Sequence, residues 1–386
     1  MPRATRSEVY DPAEVAIVHC VQRCVRRAYL AGVDPVSGKN YHFRREWIRR
    51  RLELLSSVFG IDVLVYSILS NHLHLVLRTR PDVVAAWSDS ELATRWLRLF
   101  PGRRLDEQLA EPTSSDVQML LANPQRLQEI RRRMSDLSWF MRSLCEPIAR
   151  LANRQDACSG RFWEGRFKAQ RLADEAALLA CSMYVDLNPV RAALAQAPEH
   201  AEHTSAYDRT AALQGRRIDS AAAELVVIDA AQAGQKLRST SVQELAKEKR
   251  ERKRAQSGKR VLRDAWLAPL QLSSASSWLD PELSVSGTRG SDKGFLPLSV
   301  REYLKLLDWT GRAGRSDKRG KIPAALAPIL SRLGIDASLW CDLVWNFKKY
   351  FRSSAGRPQS LRAEALRRGR QWVQGQRSAE AFFASG

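Results

Sequence analysis

The sequence predicts an α+β chain: an antiparallel sheet in split βαββαβ order with one extra helix, followed by a mostly helical extension. Three observations lead there. Strand-like and amphipathic segments follow one another as strand, helix, strand, strand, helix, strand, helix between residues 14 and 187. Residues 61–69, IDVLVYSIL, are apolar on both faces, as a central strand requires, and Ser70-Asn71 supplies a tight turn into HLHLVLRT. From about residue 208 the composition turns polar, Ala-rich and charged, which ends the first unit.

Taken in order, EVAIVHCVQRC at 14–24 alternates β-branched and other residues as a first strand, and AGVDPVSGKN at 31–40 is turn-rich. FRREWIRRRLELLSSVF at 43–59 sets Trp47, Leu54, Leu55 and Val58 among charges, the spacing of an amphipathic helix, with Gly60 just past its end. Residues 81–125 hold Pro, Ser, Asp, Trp87 and Trp96 and read as an insertion of short helices with low order. Residues 126–153 read as one long helix kinked at Pro147. FWEGRFKAQRL at 162–172 is the fourth strand, with Gly165 marking a bulge. Asp174 is a good N-cap for a helix from Glu175 to about Leu187, which Pro189 helps to end. The first six elements make the ferredoxin-like order, and the last helix is additional. The expected units are 1–207, a basic linker at 208–260 ending in KEKRERKRAQSGKR, and an aromatic-rich, mostly helical extension at 261–386.

The chain has 386 residues, a formal charge of +20 and a sequence pI near 10.2. Of its 62 basic residues 49 are arginine, which favours forked contacts to phosphate. A high-GC genome explains part of that arginine count but not the net charge, which points to nucleic acid. No apolar run is long enough for a transmembrane helix, and MPRATRSEVYDPAE lacks the apolar stretch of a secretory signal. The six cysteines form no C-x-x-C pair, so a zinc ribbon is not expected and reduced thiols in a cytoplasm are. Neither a phosphate-binding loop nor a dinucleotide fingerprint occurs, so no nucleotide cofactor is expected.

The sharpest local feature is Asn71-His72-Leu73-His74-Leu75. On a strand His72 and His74 share one face, with Cα atoms roughly 7 Å apart, and Leu73, Leu75 and Leu77 share the other. Two imidazoles so placed suit a divalent metal, in which case both should face solvent or substrate rather than the core, or they are simply two surface histidines on an edge or half-covered strand. A second pair, Tyr184 and Asn188, lies four residues apart near the end of the last helix, on one face. By itself that pair also fits a half-buried tyrosine and a helix-ending asparagine. In the βαββαβ order, however, a helix after the fourth strand can cross the sheet face that carries His72 and His74.

These residues resemble a known family. NHLHLVLRT is similar to the His-hydrophobic-His (HUH) strand of single-tyrosine transposases. FWEGRFK at 162–168 followed by YVDLNPVRA at 184–192 resembles the signature of REP-associated tyrosine transposases, and HCVQRCVRRAYL resembles the first strand of that branch. The resemblance spans about residues 14–210, and residues 295–350 resemble the extension of longer members; the insertion at 81–125 exceeds what compact members have. The resemblance implies an HUH nuclease core and a metal-dependent endonuclease and strand transferase acting on single-stranded DNA with hairpins such as REP-like palindromes. It implies that His72 and His74 hold Mg²⁺ or Mn²⁺, that Asn188 adds a contact, and that Tyr184 is the nucleophile forming a 5′-phosphotyrosine. A bacterial, nucleoid-associated protein, monomer or homodimer, with no membrane partner is expected. The alternative is a domesticated hairpin-binding protein that does not cut. An RNA-recognition module shares the strand order, but its aromatic signature is missing from the central strand.

Around such a site Arg166, Lys168, Arg171 and Arg191, with Arg161, are candidates for the DNA backbone, and Trp163 and Phe167 for stacking on unpaired bases. Arg166 and Lys168 share a strand face if no bulge intervenes. His19 reads as a satisfied structural histidine near the sheet face. The tract at 247–260 either grips flanking duplex or is a solvated linker.

Overall fold

The computed structural model describes residues 6–25, 30–34, 38–101, 111–219, 260–272, 281–313 and 327–383. A one-turn helix α1 (Arg6–Val9) precedes β1 (Ile17–Arg23). Helix α2 (Arg44–Val58), β2 (Ile61–Ile68) and β3 (His72–Thr79) follow within a residue or two of the sequence expectation. Gly60 does not take a left-handed cap conformation. It is required by close approach, because a Cβ there would lie 2.2 Å from Val84 Cγ2.

Within the stretch expected to have low order, residues 81–101 and 111–125 are packed, and residues 102–110 lie outside the described residues. Helices α3 (Pro81–Ala86), α4 (Asp89–Leu99) and α5 (Ser114–Leu121) bury Val83, Leu92, Ala93 and Leu99 in the same core as α2. The long helix expected at 126–153 is two, α6 (Pro124–Arg133) and α7 (Leu137–Gln155). The break is made by Asp136, whose carboxylate accepts from the Trp139 N–H and caps α7, and the helix runs through Pro147. Strand β4 is only Lys168–Leu172. Trp163 still pairs antiparallel with Cys24, with backbone bonds from the Val25 N–H to the Phe162 carbonyl and from the Glu164 N–H to the Arg23 carbonyl, so the ladder is interrupted only between Glu164 and Lys168, around the expected bulge at Gly165. Phe162 and Phe167 are buried, and the Trp163 indole N–H donates to the Cys145 carbonyl at 2.8 Å. Asp174 caps α8 (Glu175–Asp186) by accepting from the Ala177 N–H at 2.9 Å. The short α9 (Asn188–Arg191) and α10 (Ser205–Leu213) come next.

Residues 208–219, expected in the linker, are instead ordered parts of the fold. Asp208 and Arg209 are buried on α10, and β5 (Arg217–Asp219) pairs with β6 (Arg260–Leu262). The rest of that expected linker, including the basic tract up to Lys259, lies outside the described residues. The C-terminal region then contributes α11 (Val300–Ala313), α12 (Ala327–Arg332), α13 (Trp340–Trp345), α14 (Phe347–Tyr350), β7 (Ser354–Ala355), α15 (Pro358–Arg367) and α16 (Gln376–Phe382).

The main sheet has the order β2-β3-β1-β4-β7. Its first four strands are mutually antiparallel, but β7 joins β4 in parallel, so the sheet is mixed rather than purely antiparallel. The added strand covers an edge that β4 otherwise leaves unpaired. One face, with Val18, Cys20, Leu73, Leu75 and Leu77, packs against α2, α4 and α7. The other, with Ile17, Val65, Val76 and Leu172, packs against α8 and against Leu296, Tyr303, Phe347 and Phe351 of the C-terminal region. Buried charge ties that region down. Arg78 donates to Asp62 at 2.8 Å and to the carbonyls of Lys293 and Gly294, and Tyr303 donates to Asp186 at 2.7 Å. Among the described residues no helix is long and apolar enough to cross a membrane.

Candidate functional site

Strand alternation puts His72 and His74 on the face covered by α8, while Leu73, Leu75 and Leu77 enter the opposite core. The ring centroids of the two histidines are 4.9 Å apart. His74 does not face solvent: it is 1% exposed, and His72 is half-buried. His19 on β1 lies beside them, its Nε2 2.9 Å from His74 Nδ1, and its Nδ1 is 3.2 Å from Gln170 Oε1 on β4.

This chain of contacts sets the tautomers. With the Gln170 oxygen facing it, His19 Nδ1 carries the proton and donates, so His19 Nε2 is an acceptor. His74 Nδ1–H therefore donates to His19, and His74 Nε2 is left as a lone pair. That atom is buried and has no hydrogen-bond partner among the described residues. His72 Nδ1 lies 2.6 Å from Asn71 Oδ1, which leaves its Nε2 bare in the same way. All three imidazoles are held neutral. Burial lowers the pKa of His19 and of His72 to about 4, with Lys348, Arg23 and Lys168 adding to the effect at His72. Burial and the neighbouring His19, His72, Lys348 and Arg191 hold His74 well below its ordinary value.

Helix α8 lies across this face with every residue from Ala176 to Asp186 buried. Tyr184, 5% exposed, stands edge-on to the imidazoles, its ring centroid 5.7 Å from that of His74 and 6.0 Å from that of His19. Phe347 of α14 is packed at 6.0 Å on the tyrosine, and the Arg191 Cζ lies 4.8 Å from the tyrosine ring centroid. Burial raises the Tyr184 pKa, and the Arg191 guanidinium and Asn188 amide pull it back. Asn188 is 7% exposed and opens α9, and its Nδ2, like His74 Nε2 and Gln170 Nε2, is a buried polar atom with no partner among the described residues. His72, His74 and Tyr184 thus lie together, with Asn188 beside the tyrosine.

The expected DNA-binding residues divide. Arg166 and Lys168 are exposed and line a cleft of about 360 Å³ that opens onto His72. Arg171 does not join them, since on β4 it points to the other face and is paired with Glu364 at 3.4 Å and Glu14 at 3.8 Å. Trp163 is part-buried against Phe162, with ring centroids 4.9 Å apart. Together with Arg161 it lines a second cleft that meets the first at Gln22, Gly165 and Arg166. Arg191 is engaged with the Tyr184 and Trp345 rings. The sequence reading missed Gln170, Arg23, Phe347 and Lys348, and gave His19 a bland role. Only the parity of His19 with Ile17 and Val21 on the strand hinted at its face.

The residues present fit a divalent cation: two bare imidazole nitrogens and a side-chain amide whose oxygen and nitrogen can exchange places. Among the described residues no group of three or more His, Cys, Asp or Glu is arranged to hold a metal, so the amide is needed to complete a set.

No known protein-family model matches the chain, and no curated protein does. Among solved structures it is similar to a REP-associated tyrosine transposase bound to a REP hairpin, at 11% identity and a TM-score of 0.32, over 62% of this chain and 96% of that one. Likeness at that level carries no weight for the reading of this site, which rests on the geometry above.

Proposed function

We propose that this chain is a metal-dependent single-stranded DNA endonuclease and strand transferase of the REP-associated tyrosine transposase kind. In this reading the β2-β3-β1-β4 strands are its HUH core. The observation that carries the proposal is the meeting of His72, His74, Tyr184 and Asn188, drawn from separate segments, on one sheet face. His72, His74 and Asn188 would hold Mg²⁺ or Mn²⁺, which when bound supplies Lewis acidity toward a non-bridging phosphate oxygen.

The chain's own residues do the rest. Gln170 and His19 orient His74 and keep its Nε2 unprotonated. Arg191 over the Tyr184 ring favours the phenolate that nucleophilic attack requires. Tyr184 Oη attacks phosphorus, an Oη–P bond forms, and the P–O3′ bond breaks. The phenol releases one proton and the leaving 3′-oxygen takes one up. The 5′-phosphotyrosine keeps the phosphodiester energy, so a 3′-hydroxyl can later rejoin strands without a nucleotide. The buried tyrosine and narrow approach favour an unpaired strand, because stiff duplex bends into such a cleft only at a cost.

The test is incubation with a labelled hairpin oligonucleotide bearing a single-stranded flank, with Mg²⁺ or Mn²⁺. A DNA–protein adduct that survives denaturation is expected from the wild type. Hairpin binding without any adduct under either metal would leave the non-cutting, domesticated reading in its place.

A further inference from the structure

Four cationic side chains converge on the cleft beside His72: Arg23 from β1, Arg166 from the preceding irregular segment, Lys168 from β4 and Lys348 from α14. Among the described residues none of the four forms an ion pair, and the cleft holds one carboxylate, Glu164. Arg78 and Arg80, by contrast, are matched with Asp62 and Asp82. Like charges gathered in one cleft repel each other unless an anion joins them, and a cleft of one sign focuses its field on such a ligand. Partial burial, then the charges of Lys168, Arg23 and Arg191, lowers the Lys348 pKa.

Lys348 is held there by its neighbour. Phe347 is fully buried against the Tyr184 ring, which pins α14 to α8, so the next side chain enters the cleft. We propose that Lys348 is a phosphate-binding residue, supplied by the C-terminal region, that grips the backbone of a DNA strand next to the phosphate presented to Tyr184. The ligand class follows from the chemistry: four cations on a cleft that opens onto His72, itself beside His74 and Tyr184, fit successive phosphates of one strand better than a single small anion. This inference rests on the strand-cleavage reading for its placement, but it is tested by binding.

The experiment uses the full chain and a fluorescent hairpin oligonucleotide with a single-stranded flank, in EDTA, with anisotropy read over a series of salt concentrations. Lys348→Gln is expected to weaken binding about fivefold and to reduce the slope of log K against log salt by about 0.7, one single-strand phosphate contact. Lys348→Arg should restore both, since either cation serves. Lys349→Gln, one residue on, exposed and outside the cleft, should change neither. Wild-type affinity and slope in Lys348→Gln, or an equal loss in Lys349→Gln, overturns the proposal. If Lys348→Gln loses affinity while the wild type traps no adduct, the cleavage reading falls and this one stands. If adducts form and Lys348→Gln binds as the wild type does, the reverse holds.

Discussion

The two faces of β3 are built from alternate residues of one strand and end in opposite conditions. Leu73, Leu75 and Leu77 enter a core closed by α2, α4 and α7, a cluster built of apolar side chains. His72 and His74 face α8 and the C-terminal region, and at that end three buried polar atoms, His74 Nε2, Gln170 Nε2 and Asn188 Nδ2, have no partner among the described residues. Buried polar groups are normally satisfied, so the face on which several unpaired ligand-type atoms converge is where a ligand is expected to act, and the apolar face is where stability resides.

Four measurements can break or sharpen that contrast. The largest effect is expected from Tyr184→Phe, which removes only a hydroxyl. Adduct formation should fall by about a thousandfold or more, with thermal stability and DNA binding nearly unchanged. Adduct persisting in the Phe variant would remove Tyr184 as nucleophile. On the closed face, Leu75→Ala should cost about 2–5 kcal/mol in denaturant unfolding through lost burial and the cavity left behind. The variant's folded fraction should still form adduct normally; loss of chemistry without loss of stability would show that the faces are not separate.

Next comes His19→Phe, which keeps a ring in place but removes the acceptor of the His74 Nδ1–H. Mn²⁺ affinity, read by paramagnetic resonance, should drop roughly 10–100-fold. Unchanged affinity in a folded variant would demote His19 to filler. The smallest effect is expected from Tyr303→Phe. It leaves Asp186 Oδ2 without its donor in a fully buried place and should cost about 1–3 kcal/mol. No change in the unfolding midpoint would mean that the C-terminal region does not brace α8.

Local pattern alone carried much of this molecule. Alternation in HLHLVL put two histidines on one face and three leucines on the other. Four-residue spacing put Tyr184 and Asn188 side by side, and Asp174 marked the start of their helix. These are properties of a few consecutive residues, set by the repeat of strand or helix. The same reasoning failed where distant groups decide. Arg171 looked free for DNA until Glu364 and Glu14 were folded against it. The strand expected from residue 162 is continuous only from Lys168, because the chain swings out between Glu164 and Phe167 after Trp163 has paired with Cys24. The helix expected to run from 126 to 153 breaks at a cap three residues ahead of Trp139. Tertiary structure alone set His19 between Gln170 and His74, and brought Phe347 and Lys348 to a tyrosine far away in the chain. Periodicity reports which way a side chain points, but which partner meets it depends on strand register and on how the chain closes on itself, and no short window of sequence contains either.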